Sequence, residues 1–248
     1  NRDVTSDFLS EIQNSNVKPI EPVFLDFKKD LSQLKAKSNI PVLYKQNTSN
    51  DLFQLIYVFD MGNNNDKVLG TAFDYIDYLG TSDMTPEQLK SEFYRLACTF
   101  RVVPGNERTY VLLSGLNENM PEAMKLFEKL MADAQVNKEA YTNMVADILK
   151  SRKDAKLNQM QNFRRLMSYG MYGPKSPATN ILTEAELQNM DPQELIDRIH
   201  NQNSYQHRIL YYGPTSEKEL LAIINKNHQA PKKLKEIPVG NEFPRLET

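Results

Sequence analysis

Leu52-Phe-Gln-Leu-Ile-Tyr-Val-Phe59 is a run of aromatic, branched and aliphatic side chains, ended by the turn formers of Gly62-Asn-Asn-Asn-Asp66. Such side chains suit a pleated, packed surface, and the glycine and asparagines after them break the run, so an extended strand is predicted. Ile40-Pro-Val-Leu-Tyr44, one polar turn earlier, reads as a second strand. Pro41 at its start brings no backbone donor, which suggests a place near a sheet edge. Strands close in sequence tend to be close in space, so these two are expected to pair antiparallel.

The rest of the chain alternates hairpins with helices. Residues 1–19 carry a short helix around Phe8, Leu9 and Ile12, with Thr5 or Ser6 as its cap, followed by an extended connector from Pro19 to Leu25. Lys28 to Ser38 is polar and reads as solvated. Apolar residues recur at helical spacing from Val68 to Leu79 and from Pro86 to Phe100, the second run opened by Thr85 as cap and Pro86 at its first position. Phe100 to Val103 and Thr109 to Ser114 flank Gly105-Asn106 as a hairpin. Helices are predicted from Leu116 to Met131, from Val136 to about Leu166, and after Thr183, Asp191-Pro192 and Ser216. Gly170-Met-Tyr-Gly173-Pro174 reads as a loop, His207 to Gly213 as a late strand, and the tail beyond Pro231 as a linker or extension. The order β-β-α-α-β-β-α-α-α-β-α predicts an α+β fold, with a mostly antiparallel or mixed sheet and helices packed on one face. A doubly wound nucleotide fold is excluded, because it needs repeated strand-helix units and a glycine-rich first turn.

Composition narrows the function classes. The 248 residues carry 30 basic and 32 acidic side chains, a formal net charge of -2, so no global positive field draws nucleic acid or anionic lipid. With Cys98 as the only cysteine, an internal disulfide and a thiolate zinc cluster are both excluded. No run approaches the apolar length of a membrane-spanning helix, and no signal-like segment is visible, which describes a soluble chain of unassigned compartment. Beginning at Asn1 without Met, the sequence is expected to be a trimmed piece or part of a longer polypeptide.

Leu69-Gly-Thr-Ala-Phe-Asp-Tyr-Ile-Asp-Tyr-Leu-Gly-Thr81 has the frame of a metal-binding helix without its ligands. In the inverted zinc motif His-x-x-Glu-His, two imidazoles hold the ion and the carboxylate activates water. Here the same frame reads Thr71-Ala-Phe-Asp74-Tyr75, with hydroxyls in place of imidazoles and a shorter carboxylate. With Asn39 to Asn47, Leu52 to Gly62, Leu79-Gly80-Thr81, Ser114 to Leu116, Thr183-x-x-Glu-Leu and Tyr212-Gly213-Pro214, the chain resembles the insulysin/pitrilysin family of zinc peptidases from about Pro19 to about Asn227. That resemblance implies an insulinase-like α+β domain over residues 39–230, preceded by a linker helix and connector over 1–38 and followed by an extension over 231–248. It implies tandem domains facing each other across a closed chamber, one half carrying zinc and the other silent but shaping the chamber. This chain looks like a domain of the silent half, with no catalytic residue of its own and no metal. Thr71, Asp74 and Tyr75 stand at the degenerate motif positions, and Glu139 and Asp147 lie in the region of the third ligand. The expected partners are a peptide substrate and a homologous catalytic domain, upstream in the same polypeptide or in a second subunit, which would hold the zinc. A scaffold subunit of a processing complex, without direct peptide contact, is the alternative.

Other residues carry weaker chemistry. Tyr110, Val111 and Leu112 are candidates for peptide contact, since an unpaired strand edge offers N–H and C=O groups to an extended chain. His200, His207 and His228 lack ligand spacing on one element and read as surface or locally hydrogen-bonded. Ser114-Gly115 lacks the glycine pattern of a nucleophile elbow, and Asp74 with Asp77 reads as a solvated face. Lys150, Arg152, Lys153 and Lys156, with Arg164 and Arg165 beyond, read as the outward face of a long helix.

Overall fold

The computed structural model describes residues 5–15, 21, 22, 24 and 26–247. Two compact units are present, Asn1–Asp30 and Leu31–Thr248. In the first, helix α1 (Asp7–Asn14) starts at Ser6, whose hydroxyl accepts from the Leu9 N–H at 3.2 Å, which selects Ser6 over Thr5 as the cap. Pro19, Ile20, Val23 and Leu25 of the predicted connector lie outside the described residues.

The second unit is built on a six-stranded sheet ordered β1-β2-β6-β3-β5-β4, with β1 (Ser32–Lys35), β2 (Pro41–Gln46), β3 (Leu52–Phe59), β4 (Cys98–Pro104), β5 (Thr109–Leu116) and β6 (Arg208–Gly213). Every pairing is antiparallel except β2 with β6. Burial alternates along the strands: Phe53, Leu55, Tyr57 and Phe59 of β3, Val111 and Leu113 of β5 and Ile209 of β6 are at most 1% exposed, while Leu52, Gln54 and Tyr212 face outward. One face is thus covered and the other open, the period-2 signature of an antiparallel sheet packed on one side. Helices α2 (Leu69–Tyr75), α4 (Met120–Asp133) and α8 (Gln193–Asn201) supply the cover, through buried Leu69, Ala72, Phe73, Met124, Phe127, Leu195, Ile196 and Ile199. Each large side chain so buried contributes about 1.5–3 kcal/mol relative to exposure. The predicted α+β class and its sheet are those observed.

Local signals fix most helix starts. Thr85 and Gln88 form a reciprocal capping box at α3 (Pro86–Arg95), and Thr183 with Glu186 does the same at α7 (Glu184–Asn189). Both caps follow the sequence reading. Helix α9 (Glu217–Asn227) closes the core with buried Leu220 and Ile224.

Several expectations are corrected. The two early strands are not neighbours: β6, from the far end of the chain, lies between β2 and β3. Its Tyr211 stacks on Tyr44 of β2 at 5.7 Å between ring centroids and pairs in register with Leu55 of β3, so burial on both sides outweighs proximity in sequence. The polar stretch Lys28 to Ser38 contains β1, which covers β2; Pro41 is tolerated as the first residue of an internal strand. The run from Pro86 ends as a helix at Arg95, and Ala97 at φ 48° turns the chain into β4. The single helix expected from Val136 to Leu166 is two, α5 (Lys138–Ala155) and α6 (Gln159–Tyr172), because the Asn158 side chain accepts from the Gln161 N–H at 3.0 Å and caps a new start. Helix α6 runs through Gly170, and Gly173 at φ 70° stops it, so the expected loop begins only there. Beyond Pro231 the tail is held by the unit: Lys235 exchanges backbone hydrogen bonds with Ser204 and Gln206, and the Leu246 N–H donates to the Met171 carbonyl.

Candidate functional site

The turn before α2 is a set of backbone clamps. Asp66 accepts from the Val68 N–H at 3.0 Å and from Arg198 of α8 at 3.0 Å, and Asn63 accepts from the Gly70 N–H at 2.8 Å. A Cβ on Gly70 would stand 2.7 Å from the Asn63 side-chain oxygen, so a larger residue there would push that side chain off the Gly70 N–H. The frame positions that follow part ways. Thr71 is half-buried, Asp74 is exposed, and Tyr75 is 0% exposed.

Tyr75 carries the clearest chemical statement of the site. Its hydroxyl donates to the Asn137 carbonyl at 2.6 Å and accepts from the Asn137 N–H at 2.8 Å. Asn137 is the N-cap of α5, its side chain accepting from the Ala140 N–H at 3.0 Å. The hydroxyl therefore bolts α2 to the start of the helix that carries Glu139 and Asp147. Burial raises the Tyr75 pKa further above the phenol range, so no phenolate is offered to a cation. A neutral phenol with both hydrogen-bonding roles taken, beside a threonine, does not fit zinc. Among the described residues, no group of three or more His, Cys, Asp or Glu side chains is arranged to hold a metal ion.

The carboxylates converge in part. Asp74, Asp77 and Asp147 line one open groove of about 580 Å³ with Phe73, Val102 and Arg152; Glu139 does not line it and is exposed. Partial burial, then the charge of Asp77, raise the Asp74 carboxyl above its usual range, and burial raises Asp77 against the pull of Lys90. Arg152 turns inward, donating to the Leu182 carbonyl at 2.7 Å, while Lys150, Lys153, Lys156, Arg164 and Arg165 stay exposed.

Tyr110, Val111 and Leu112 belong to β5, which is paired with β3 on one side and β4 on the other. Their backbone groups are engaged in the ladder. The free edge on this side of the sheet is β4, and beside it a groove of about 360 Å³ runs between β4 and α3, lined by Leu89, Phe93, Tyr94, Cys98, Phe100 and Lys90. Ser114 sits in β5 opposite Gln54 and Thr99, away from a turn. A second surface was not legible as such. Helix α6 buries no residue, and Met160, Phe163, Leu166 and Met167 are 49–67% exposed along it. Treating Val136 to Leu166 as one helix concealed that stripe.

The histidines divide. His200 reaches the Ala134 carbonyl at 3.2 Å. His207 and His228 meet in the interior beside Glu128, a buried carboxylate that sequence reading passed over as one of many acidic helix residues. Its only signal was an acidic residue on the apolar stripe of Ala123, Met124, Phe127, Leu130 and Met131.

No family model matches this sequence, and no curated protein matches it. Solved structures do. The periplasmic protease PqqL from Escherichia coli matches 99% of this chain and 30% of its own, with a TM-score of 0.76 and 14% identity. The ferredoxin protease FusC, solved as a mutant with Arabidopsis ferredoxin, matches 94% of this chain and 27% of its own at a TM-score of 0.74 and 11% identity. A peptidase M16 inactive domain from Pseudomonas fluorescens matches 85% of this chain and 54% of its own at a TM-score of 0.68 and 14% identity. The fold is that of M16-type peptidase domains, and this chain spans between about a quarter and a half of these structures.

Proposed function

We propose that this chain is a non-catalytic domain of a zinc metalloendopeptidase and forms part of the wall of a peptide-binding chamber. Tyr75 is the observation that carries the reading. On a peptidase fold, the position where an imidazole would have to grip zinc holds a buried phenol spent on joining two helices. The zinc, and the water it activates, would belong to a homologous half in the same polypeptide or in a second subunit. Thr71 and Asp74 are vestiges of the motif, and Asp74 with Asp147 gives the groove its negative character.

Peptide contact through this domain is best served by the β4 edge. An extended peptide can add to an edge by main-chain hydrogen bonds while its side chains enter an adjacent groove, here the one lined by Phe93, Tyr94 and Phe100. Tyr110 to Leu112 would act only through the outward side chains of Tyr110 and Leu112. The α6 stripe supports a second reading, a scaffold subunit held by a permanent partner, because exposed apolar patches of this kind mark interfaces.

Equilibrium dialysis with zinc, a chelator-controlled peptidase assay and photo-crosslinking of an extended peptide test the proposal together. The expected result is no stoichiometric zinc, no hydrolysis by this chain, and crosslinks on β4 or the α3 groove. Zinc retained at one equivalent with chelator-sensitive cleavage overturns the non-catalytic reading. Absence of saturable peptide binding selects the scaffold.

A further inference from the structure

Glu128 is 1% exposed and holds four hydrogen-bond partners from three other segments. Its Oε1 lies 3.1 Å from the Tyr57 hydroxyl of β3 and 2.6 Å from His228 Nδ1, just after α9. Its Oε2 accepts from Asn203 Nδ2 at 2.9 Å and from the Gln229 N–H at 3.1 Å. His228 Nε2 lies 2.9 Å from His207 Nε2, and His207 Nδ1 lies 2.7 Å from the Tyr205 carbonyl. The chain of contacts is therefore Tyr205 carbonyl, His207, His228, Glu128.

Geometry dictates how many titratable protons this chain holds. The Tyr205 carbonyl only accepts, so His207 Nδ1 carries a proton. The link between the two Nε2 atoms needs one proton, and so does the link from His228 Nδ1 to the carboxylate. Three protons fill three links and leave the cluster with no net charge. A fourth must set two N–H groups against each other at 2.9 Å, or must compete with the donors already on Glu128.

We propose that this cluster is an acid-sensitive latch that fastens the segment after α9 to the sheet. The latched segment carries His228 and Gln229 and continues to Lys235, which pairs with the same Tyr205 region. At neutral pH the links are complete. On acidification the extra proton falls on His207, breaks the contact with His228 and frees the segment. The groups facing His207 are His228 beyond α9, Tyr57 and Phe59 of β3, and Glu128 of α4 behind His228; Arg208 beside it is held by Asp60. Lys37 and Lys232 line the groove next to His228 and add repulsion once the cluster turns positive. Burial first, then the neighbouring His228, lowers His207 from 6.5 to about 4, which sets where the latch opens. The inference stands apart from the peptidase reading and survives its failure.

Hydrogen exchange on the full chain, corrected for intrinsic rates, tests it. Amides from His228 to Lys235 are expected to lose at least tenfold protection between pH 6.5 and pH 4, while β3 and β5 keep theirs. In His207→Gln, which keeps a polar side chain but cannot titrate, the pH dependence of that segment is expected to vanish. Unchanged protection in the wild type, parallel loss in β3 and β5, or an unchanged profile in the variant overturns the latch. Ring-nitrogen NMR of the wild type decides the matter even if the variant does not fold. His207 should be protonated at Nδ1 alone at pH 7, and two independent titrations near the ordinary imidazole value overturn it.

Discussion

Tyr75 and Glu128 each tie separate elements together with a buried polar side chain, and they do so in opposite ways. At α2, Tyr75 uses a group that does not ionise near neutral pH, makes two hydrogen bonds to one residue, and fixes a helix start. At α4, Glu128 uses an ionisable group, takes bonds from several segments, and is linked through His228 to His207. The first site acts as a strut between two helix segments. The second, far from the motif frame in sequence, gathers a buried carboxylate and two histidines. Resemblance in sequence draws attention to α2, yet the ionisable chemistry lies under α9.

Removing Glu128 should produce the largest effect. Glu128→Ala leaves the Tyr57 hydroxyl, Asn203 and the Gln229 N–H without their acceptor and His228 without its carboxylate partner, so about 3–5 kcal/mol of stability should be lost in urea unfolding. A loss under about 1 kcal/mol would erase the contrast with Tyr75. Acid comes next. The folded state holds His207 down at about 4 against 6.5 for a free imidazole, so between those values the unfolded chain binds more protons than the folded one. Stability therefore falls as pH drops from 6.5 to 4, by up to about 3 kcal/mol from this group, and the loss levels off below 4. Urea midpoints at pH 7 and pH 4.5, compared between wild type and His207→Gln, measure that share.

Tyr75→Phe sharpens the other side of the comparison. It strips two hydrogen bonds and leaves the Asn137 N–H and carbonyl without this partner, for an expected cost of about 1–3 kcal/mol with no dependence on pH between 5 and 8. A pH-dependent loss would make α2 more than a strut. The smallest effect is expected at Asp74→Asn. Asp74 is exposed, and its carboxylate form is disfavoured by partial burial and by Asp77, so the amide should stabilise by less than about 0.5 kcal/mol after solvent screening. A marked destabilisation would mean that the carboxylate has a partner worth identifying.

How far the sequence could be read depended on the range of the interaction. Thr85 with Gln88 and Thr183 with Glu186 announce their helices because cap and partner lie within one turn. The dense aromatic and branched run from Leu52 to Phe59 announces a strand for the same reason, while the face it buries is visible only in the structure. The place of β6 between β2 and β3 has no local signature, since its paired residues, such as Val58 for Arg208 and Val42 for Ile209, lie far away in sequence. Nor does any spacing rule link Glu128, His207 and His228. The break between α5 and α6 was within reach, since Asn158 is a cap residue, but the surrounding helix formers hid it.

What the sequence determined alone is the layer class, most helix starts, and hydroxyl side chains at Thr71 and Tyr75 around Asp74, because each of these is written in neighbouring residues. What the tertiary structure decided is the strand order, the exposure of α6, the conversion of Tyr75 into a bolt on Asn137, and the meeting of two histidines with a buried glutamate. Those depend on which distant side chains share an interior from which water is excluded. Desolvation there makes every unmatched polar group costly, so the fold selects partners that local patterning cannot name.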